Sequence, residues 1–320
     1  MEELAQAMAA KLSSLMGSWK SIEIECETTM RFKAPAGGIP GLVDNTMRVR
    51  YVETAEGQRF HEASFHLANG QRTSGGRAYC DGQRCASVMY RDENSIHQDS
   101  ISISLSFNGE SSTLTSQRPL PLRFLYVGLE PLPEALRERA EHVGPSNALG
   151  RPCETFLIRD VRLSIGTVLV RPSLDRETAV PLAIDWFKNE STLAAGRPFR
   201  TWRATKFEVR DGVPVVTQSR ELLYQDGTDN PSDTYDTRVT KLNFNKEYPA
   251  STFWPVPQPG VMIFDRIKGT CEMVPGDPVP STASPIRADG VPAWDPAQAA
   301  MLGLGLALVA VAGALWWRNR

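Results

Sequence analysis

The chain has 320 residues, 41% of them apolar, which is enough for a packed core and excludes wholesale disorder. Its 35 Lys and Arg against 37 Asp and Glu leave a formal charge of −2. There is no basic stripe with interleaved aromatics, so nucleic acid is excluded as a partner.

The chain opens on an amphipathic helix. Leu4, Met8, Leu12, Leu15 and Met16 fall on one helical stripe that needs burial. The two leading glutamates and the periodic, interrupted apolar pattern are not those of a secretory signal. Strands follow. From Ile22 to Phe32 the apolar and small residues Ile22, Ile24, Cys26, Thr28, Met30 and Phe32 alternate with charged or polar ones, which predicts a strand with one face on a core. Met47, Val49 and Tyr51 repeat the pattern, as do Ile101, Ile103, Leu105 and Phe107 against intervening serines. Further strands are expected at 58–67, 76–90, 153–158, 167–171, 182–187, 200–209, 214–224 and 237–244. Glu56-Gly57, Asp81-Gly82, Asn108-Gly109 and Asp211-Gly212 supply the hairpin turns. Adjacent hairpins imply a large antiparallel sheet. After Pro131 and Pro133, the spacing of Leu132, Leu136, Ala140 and Val143 predicts an inserted helix.

The last 46 residues read differently. Six prolines fall between Pro275 and Gln298, which marks an extended linker over 275–298. Ala299 to Trp317 carries no charge and no proline, and at a helical rise it is about 28 Å long, close to a hydrocarbon core of about 30 Å. Trp316 and Trp317, then Arg318 and Arg320 in the basic tail 318–320, suit the interface. A single-pass transmembrane anchor over 299–317 is expected, with the lipid bilayer as partner. Gly303, Ala307, Ala310 and Ala314 supply the small-residue spacing that lets two such helices dimerise, although Gly and Ala are common in any membrane helix. The flanking arginines favour a domain on the periplasmic side. The unsignalled N-terminus favours a cytosolic, tail-anchored one. Both topologies stay open, and the first leads.

No catalytic signature emerges. His61 and His66 are five apart on a strand and face opposite ways, unlike a zinc-protease pair. No nucleophile elbow, phosphate loop or dinucleotide fingerprint is present. Neither an enzyme, a metal nor a cofactor is expected. Glu23 and Glu25 read as a solvated strand face. Of the five cysteines, only Cys80 and Cys85 are spaced to meet, across an Asp81-Gly82 hairpin. They are a candidate disulfide, the alternative being two small buried hydrophobes.

The order of features from Trp19 to Lys268 resembles the LolA-like superfamily of outer-membrane lipoprotein-sorting carriers, in a divergent planctomycete-type version. The resemblance rests on a helix leading into Trp19-Lys20-Ser21-Ile22, the Asp81-Gly82 hairpin, and the turn Gly150-Arg151-Pro152-Cys153. Arg171 to Pro181, the Asp211-Gly212-Val213-Pro214 hairpin, and the closing segment Tyr248 to Asp265 extend it. It implies a mainly β (α+β) fold over 1–274, a large curved antiparallel sheet or open half-barrel partly covered by the two helices. It also implies a concave apolar side that holds acyl chains. Ile22, Ile24, Met30, Phe32, Ile101, Ile103, Leu105 and Phe107 are expected to line that side as one surface. The expected function is a membrane-tethered, non-enzymatic envelope protein that binds or senses a lipid or lipoprotein acyl group. The alternative is an envelope scaffold or regulatory protein-interaction module with a filled core.

Overall fold

The computed structural model describes residues 2–32, 44–67, 70, 72–90, 98–104, 118–120, 122–128, 130–163, 165–224 and 230–276. Leu105, Phe107, the Asn108-Gly109 turn, the linker beyond Gly276, the 299–317 run and the basic tail lie outside these residues. Among the described residues no helix is long and apolar enough to cross a membrane.

Helix α1 (Glu2–Met16) buries Ala5, Met8, Ala9 and Leu12, an i, i+3, i+4, i+7 stripe, with Leu4, Leu15 and Met16 partly covered. Then come β1 (Ser21–Phe32), β2 (Asp44–Thr54), β3 (Arg59–His66), β4 (Arg72–Cys80), β5 (Cys85–Tyr90) and β6 (Gln98–Ser104). A short 3-10 turn (Leu122–Leu125) leads through the minimal ribbon β7 (Tyr126–Val127) and β8 (Glu130–Pro131) to α2 (Leu132–Arg139). The second half is β9 (Ala140–Ala148), β10 (Arg151–Leu163), β11 (Gly166–Asp175), β12 (Pro181–Phe187), the short α3 (Glu190–Ala194), β13 (Arg200–Arg210), β14 (Val213–Tyr224) and β15 (Pro231–Phe244). The hairpin β16 (Met262–Asp265) and β17 (Thr270–Met273) closes the described chain.

Among the described residues fifteen strands form one sheet, in the order β17-β16-β6-β5-β4-β3-β2-β1-β15-β14-β13-β12-β11-β10-β9. Every pairing is antiparallel except β16 with β6. The mainly β fold with a large antiparallel sheet and few helices is therefore as the sequence implied. The inserted helix is shorter than its spacing suggested. It stops at Arg139, and Val143, 57% exposed, sits in edge strand β9 instead of on a helical stripe. Gly144-Pro145 explains this, because the residue before a proline avoids helical backbone, and β10 offers a ladder in its place. Pro145 is tolerated there because β9 is an edge.

Register decides what each face does. Ile24 lies opposite Tyr51, Tyr51 opposite His61 and Val49 opposite Ala63, and this face meets α1, α2 and the 3-10 turn in the main core. The opposite face carries Val52, Phe60, Tyr79, Ala86, Val88 and Ile101, buried under Phe253, Trp254 and Val261 of the C-terminal segment. A third small cluster, Leu157, Leu169 and Phe187, lies on the same opposite face further along and is capped by Leu193 of α3. Between these patches run cross-strand ion pairs such as Glu27 with Arg48 and Arg238, and Asp236 with Arg31 and Arg220. Such exposed pairs add solubility and little stability. Glu23 departs from the solvated reading: it is fully buried, bonded by Arg50 and Asn243. Burial pushes its pKa up, but those hydrogen bonds and Lys241 outweigh that and hold it at about 2.

Candidate functional site

The eight residues expected to share one surface do not all meet. Ile22 and Ile24 are fully buried in the main core, on the helix-covered face. Ile101 and Ile103 pair with Val88 and Ala86, and register carries these to the opposite face, in the cluster under Phe253. Met30 and Phe32 stay on the helix-covered face, beyond the 3-10 turn, where Phe32 is half-buried and edge-on to Tyr235 at 6.1 Å. Beneath α1 the core is almost filled. The apolar cavity between Leu15, Ile22, Phe124, Trp202 and Val215 holds only about 20 Å³, about one water's worth.

One unusual group of side chains lies on the helix-covered face. Trp202 of β13 is opposite Glu221 of β14, Glu221 opposite Tyr235 of β15, and Tyr235 opposite Met30 of β1. This row crosses four strands and is polar at its centre. Arg200 Nε lies 2.6 Å from one carboxylate oxygen of Glu221, and Arg123, on the 3-10 turn, lies 3.5 Å from the other. The Arg200 guanidinium sits 4.5 Å over the Trp186 ring, and Phe124 stacks on Trp202 at 3.8 Å. Burial pushes the Glu221 carboxyl up, but Arg123 and Arg200 outweigh it and keep it below the usual carboxylate range. Two guanidiniums against one carboxylate leave one net positive charge in an aromatic wall. Trp202 is buried and its indole N–H has no partner among the described residues, although buried indoles usually find one. The arrangement suits an acceptor-rich anionic group flanked by apolar surface. Little of this was legible in the sequence: Arg123, Arg200 and Glu221 sit in no motif, and Trp202 is one of seven tryptophans.

A second polar group lies on the same face, nearer α2. The Tyr51 hydroxyl donates to Glu53 at 2.8 Å, Arg59 Nε donates at 3.0 Å, and Arg118 sits 3.6 Å over Tyr126. His61, 6% exposed, has no partner for Nε2 among the described residues, and burial pulls its pKa down to about 4. The unfolded chain therefore binds a proton from about pH 6.5 downward while the fold resists it until about pH 4, and stability falls as pH drops through that window. Between pH 7 and 4.5 wild-type protein should lose roughly 2–3 kcal/mol from this group. His61→Gln should lose far less in urea unfolding at the two pH values. Parallel losses would show that His61 is not the group responsible. His66 faces the other way, bonded to Ser64.

No protein-family model matches the sequence, and the search of curated proteins found no match. Solved structures similar to this one include a DUF1329 family protein from Desulfovibrio piger, at 12% identity and TM-score 0.46, covering 79% of this chain and 97% of that one. A putative outer membrane lipoprotein-sorting protein domain from Vibrio parahaemolyticus is similar at 10% identity and TM-score 0.46, with the same coverage. A LolA superfamily protein from Nitrosomonas europaea is similar at 10% identity and TM-score 0.43, covering 78% of this chain and 97% of that one. With TM-scores under 0.5 and identities of 10–12%, these likenesses carry no argument about family, role or anchor.

Proposed function

We propose that the protein is a membrane-tethered, non-enzymatic binder of an acyl group with an anionic end. The carrying observation is the Arg123–Glu221–Arg200 cluster with the Trp202 N–H, unpaired among the described residues. It adjoins a half-open stretch at Tyr235 and Phe32, where Asp233 stands opposite Phe32 on the ladder. The anionic end would take the guanidiniums, and the chain would lie along Tyr235, Phe32 and Met30. The tether is the 299–317 run, with the domain on the periplasmic side following the bias of its flanking arginines.

The test begins with the full chain, fractionated and purified in detergent. Recovery in the membrane fraction, protease access from outside intact cells and a co-purified lipid in the native mass spectrum are the expected results. A soluble chain removes the tether, and a chain protected from protease reverses its orientation. In a fluorescent fatty-acid assay Phe32→Asp should weaken binding about tenfold or more, the equivalent of losing about 1.5–3 kcal/mol of apolar contact. Ile103→Trp, on the opposite face, should leave binding unchanged. Equal effects of the two substitutions would remove this site. The second reading, a scaffold with a filled core, is favoured by the cavity of only about 20 Å³. It takes over if neither lipid nor fatty acid binds.

A further inference from the structure

None of the five cysteines is in a disulfide, and they lie in three different settings. Cys26 and Cys153 are packed into the main core, where burial pushes the first up to about 12 and the second above its ordinary value. They behave as small hydrophobes. Cys271 is exposed on edge strand β17. Cys80 and Cys85 differ from all three. They end β4 and begin β5, directly opposite one another. The Asp81 N–H donates to the Arg84 carbonyl at 3.1 Å, which makes the next pair outward, Cys80 with Cys85, a non-hydrogen-bonded one. In such pairs the Cα atoms are about 4.5 Å apart and the side chains are closest, inside the range a disulfide spans.

The hairpin end is also held still. Asp81 accepts from the N–H groups of Gln83 and Arg84 and pairs with the Arg84 guanidinium at 3.0 Å, and Arg84 lies 4.3 Å over the Trp254 ring. A rigid loop keeps the thiols facing and raises the effective concentration of one at the other.

We propose that Cys80 and Cys85 are a redox-active dithiol that closes reversibly to a cross-strand disulfide by exchange with low-molecular-weight disulfides. In the first step the Cys80 sulfur attacks one sulfur of the oxidant. The oxidant's S–S bond breaks, one thiol leaves, and a mixed disulfide forms on Cys80. In the second step the Cys85 sulfur attacks Cys80 and expels the second thiol. The protein loses two electrons and two protons, and the oxidant is reduced to two thiols. Cys80 goes first because it is the less enclosed, 9% exposed against 1% for Cys85. A hydrogen bond from Cys85, with smaller help from the Gly82 backbone and Arg59, brings the Cys80 thiol down to about 7 despite its burial, so a large thiolate fraction is present near neutrality.

The test uses the full chain carrying Cys271→Ser, equilibrated in glutathione buffers of rising oxidised share, acid-quenched, alkylated and peptide-mapped. Cys80 and Cys85 should lose alkylation together and in equal measure, with the intact mass lower by two hydrogens, and should recover it in reduced glutathione. Cys26 and Cys153 should stay thiols throughout. Adding Cys85→Ser should halt the reaction at a glutathione adduct on Cys80. The unfolded chain in urea serves as a control that the oxidant is competent. Two thiols that persist in the folded chain while the unfolded chain oxidises would overturn the proposal, as would adducts on both sulfurs without closure.

Discussion

Trp202→Ala should destabilise the described domain by about 3–5 kcal/mol, the range for removing a buried tryptophan. That corresponds to a fall in melting temperature on the order of 10 °C for a domain of this size. Trp202 is the largest of the fully buried side chains, stacked on Phe124 at 3.8 Å and flanked across the ladder by Ile184 and Glu221. Because it also borders the apolar cavity of about 20 Å³, the indole's removal would join two spaces instead of leaving a small one that neighbours could close. The enlarged apolar void should accept free indole. Added indole should then raise the melting temperature of Trp202→Ala and leave that of the parent unchanged. Trp202→Phe, which keeps a ring against Phe124, should lose less. Calorimetry of the three proteins with and without indole reads all of this. A loss under about 1 kcal/mol in Trp202→Ala would mean that the 3-10 turn is not packed on the sheet as described.

How much of this was legible in the sequence differs between strands and site. The alternation of Ile22 to Phe32 reports two faces because side chains on a strand alternate, and the structure has both. What alternation cannot report is which face of one strand matches which face of another. The phase between Ile24 and Ile101 is set by the registers of β1 through β6, a path of five pairings, and a one-residue difference in any hairpin reverses it. The two isoleucine sets therefore look alike in sequence and lie on opposite sides of the sheet. Glu23 was misread for a related reason. Its strand position is on the polar side, but Asn243 and Lys241 come from β15, some 220 residues later, and bury it. The site was hidden more completely. On β14, Ser219, Glu221 and Leu223 alternate with Gln218, Arg220 and Leu222, so both sides are equally polar and neither announces a core. On β13 the one available hint is Arg200 on the same side as Trp202, a cation on a strand's aromatic face.

Glu221 separates a binding site from a merely structural ion cluster, because the two roles respond oppositely to its removal. Glu221→Ala leaves the guanidiniums of Arg200 and Arg123 without their counter-ion in a mostly buried setting, and breaking a buried pair costs about 3–5 kcal/mol. The double variant Glu221→Leu with Arg200→Met should recover much of that, since it removes the more buried of the two stranded charges and leaves Arg123, which reaches solvent. The pH dependence follows from the depressed folded-state pKa. The carboxylate's contribution is present above the unfolded value of about 4.3 and is lost as pH falls through the lower folded one. Glu221→Gln should therefore be less stable than the parent at pH 7 and show a shallower decline on acidification below about pH 4. Glu23, which titrates in the same direction near pH 2, keeps the decline from vanishing. Binding should move the other way. The glutamine raises the cluster's net charge from one to two positive and frees guanidinium donors, so an anionic fatty acid should bind Glu221→Gln more tightly than it binds the parent, while its uncharged methyl ester should not discriminate. Urea unfolding together with the fluorescent competition assay gives both numbers on the same samples. If Glu221→Gln weakens stability and fatty-acid binding together, the arginines serve only to hold β13, β14 and the 3-10 turn in place, and the anionic-headgroup role is lost.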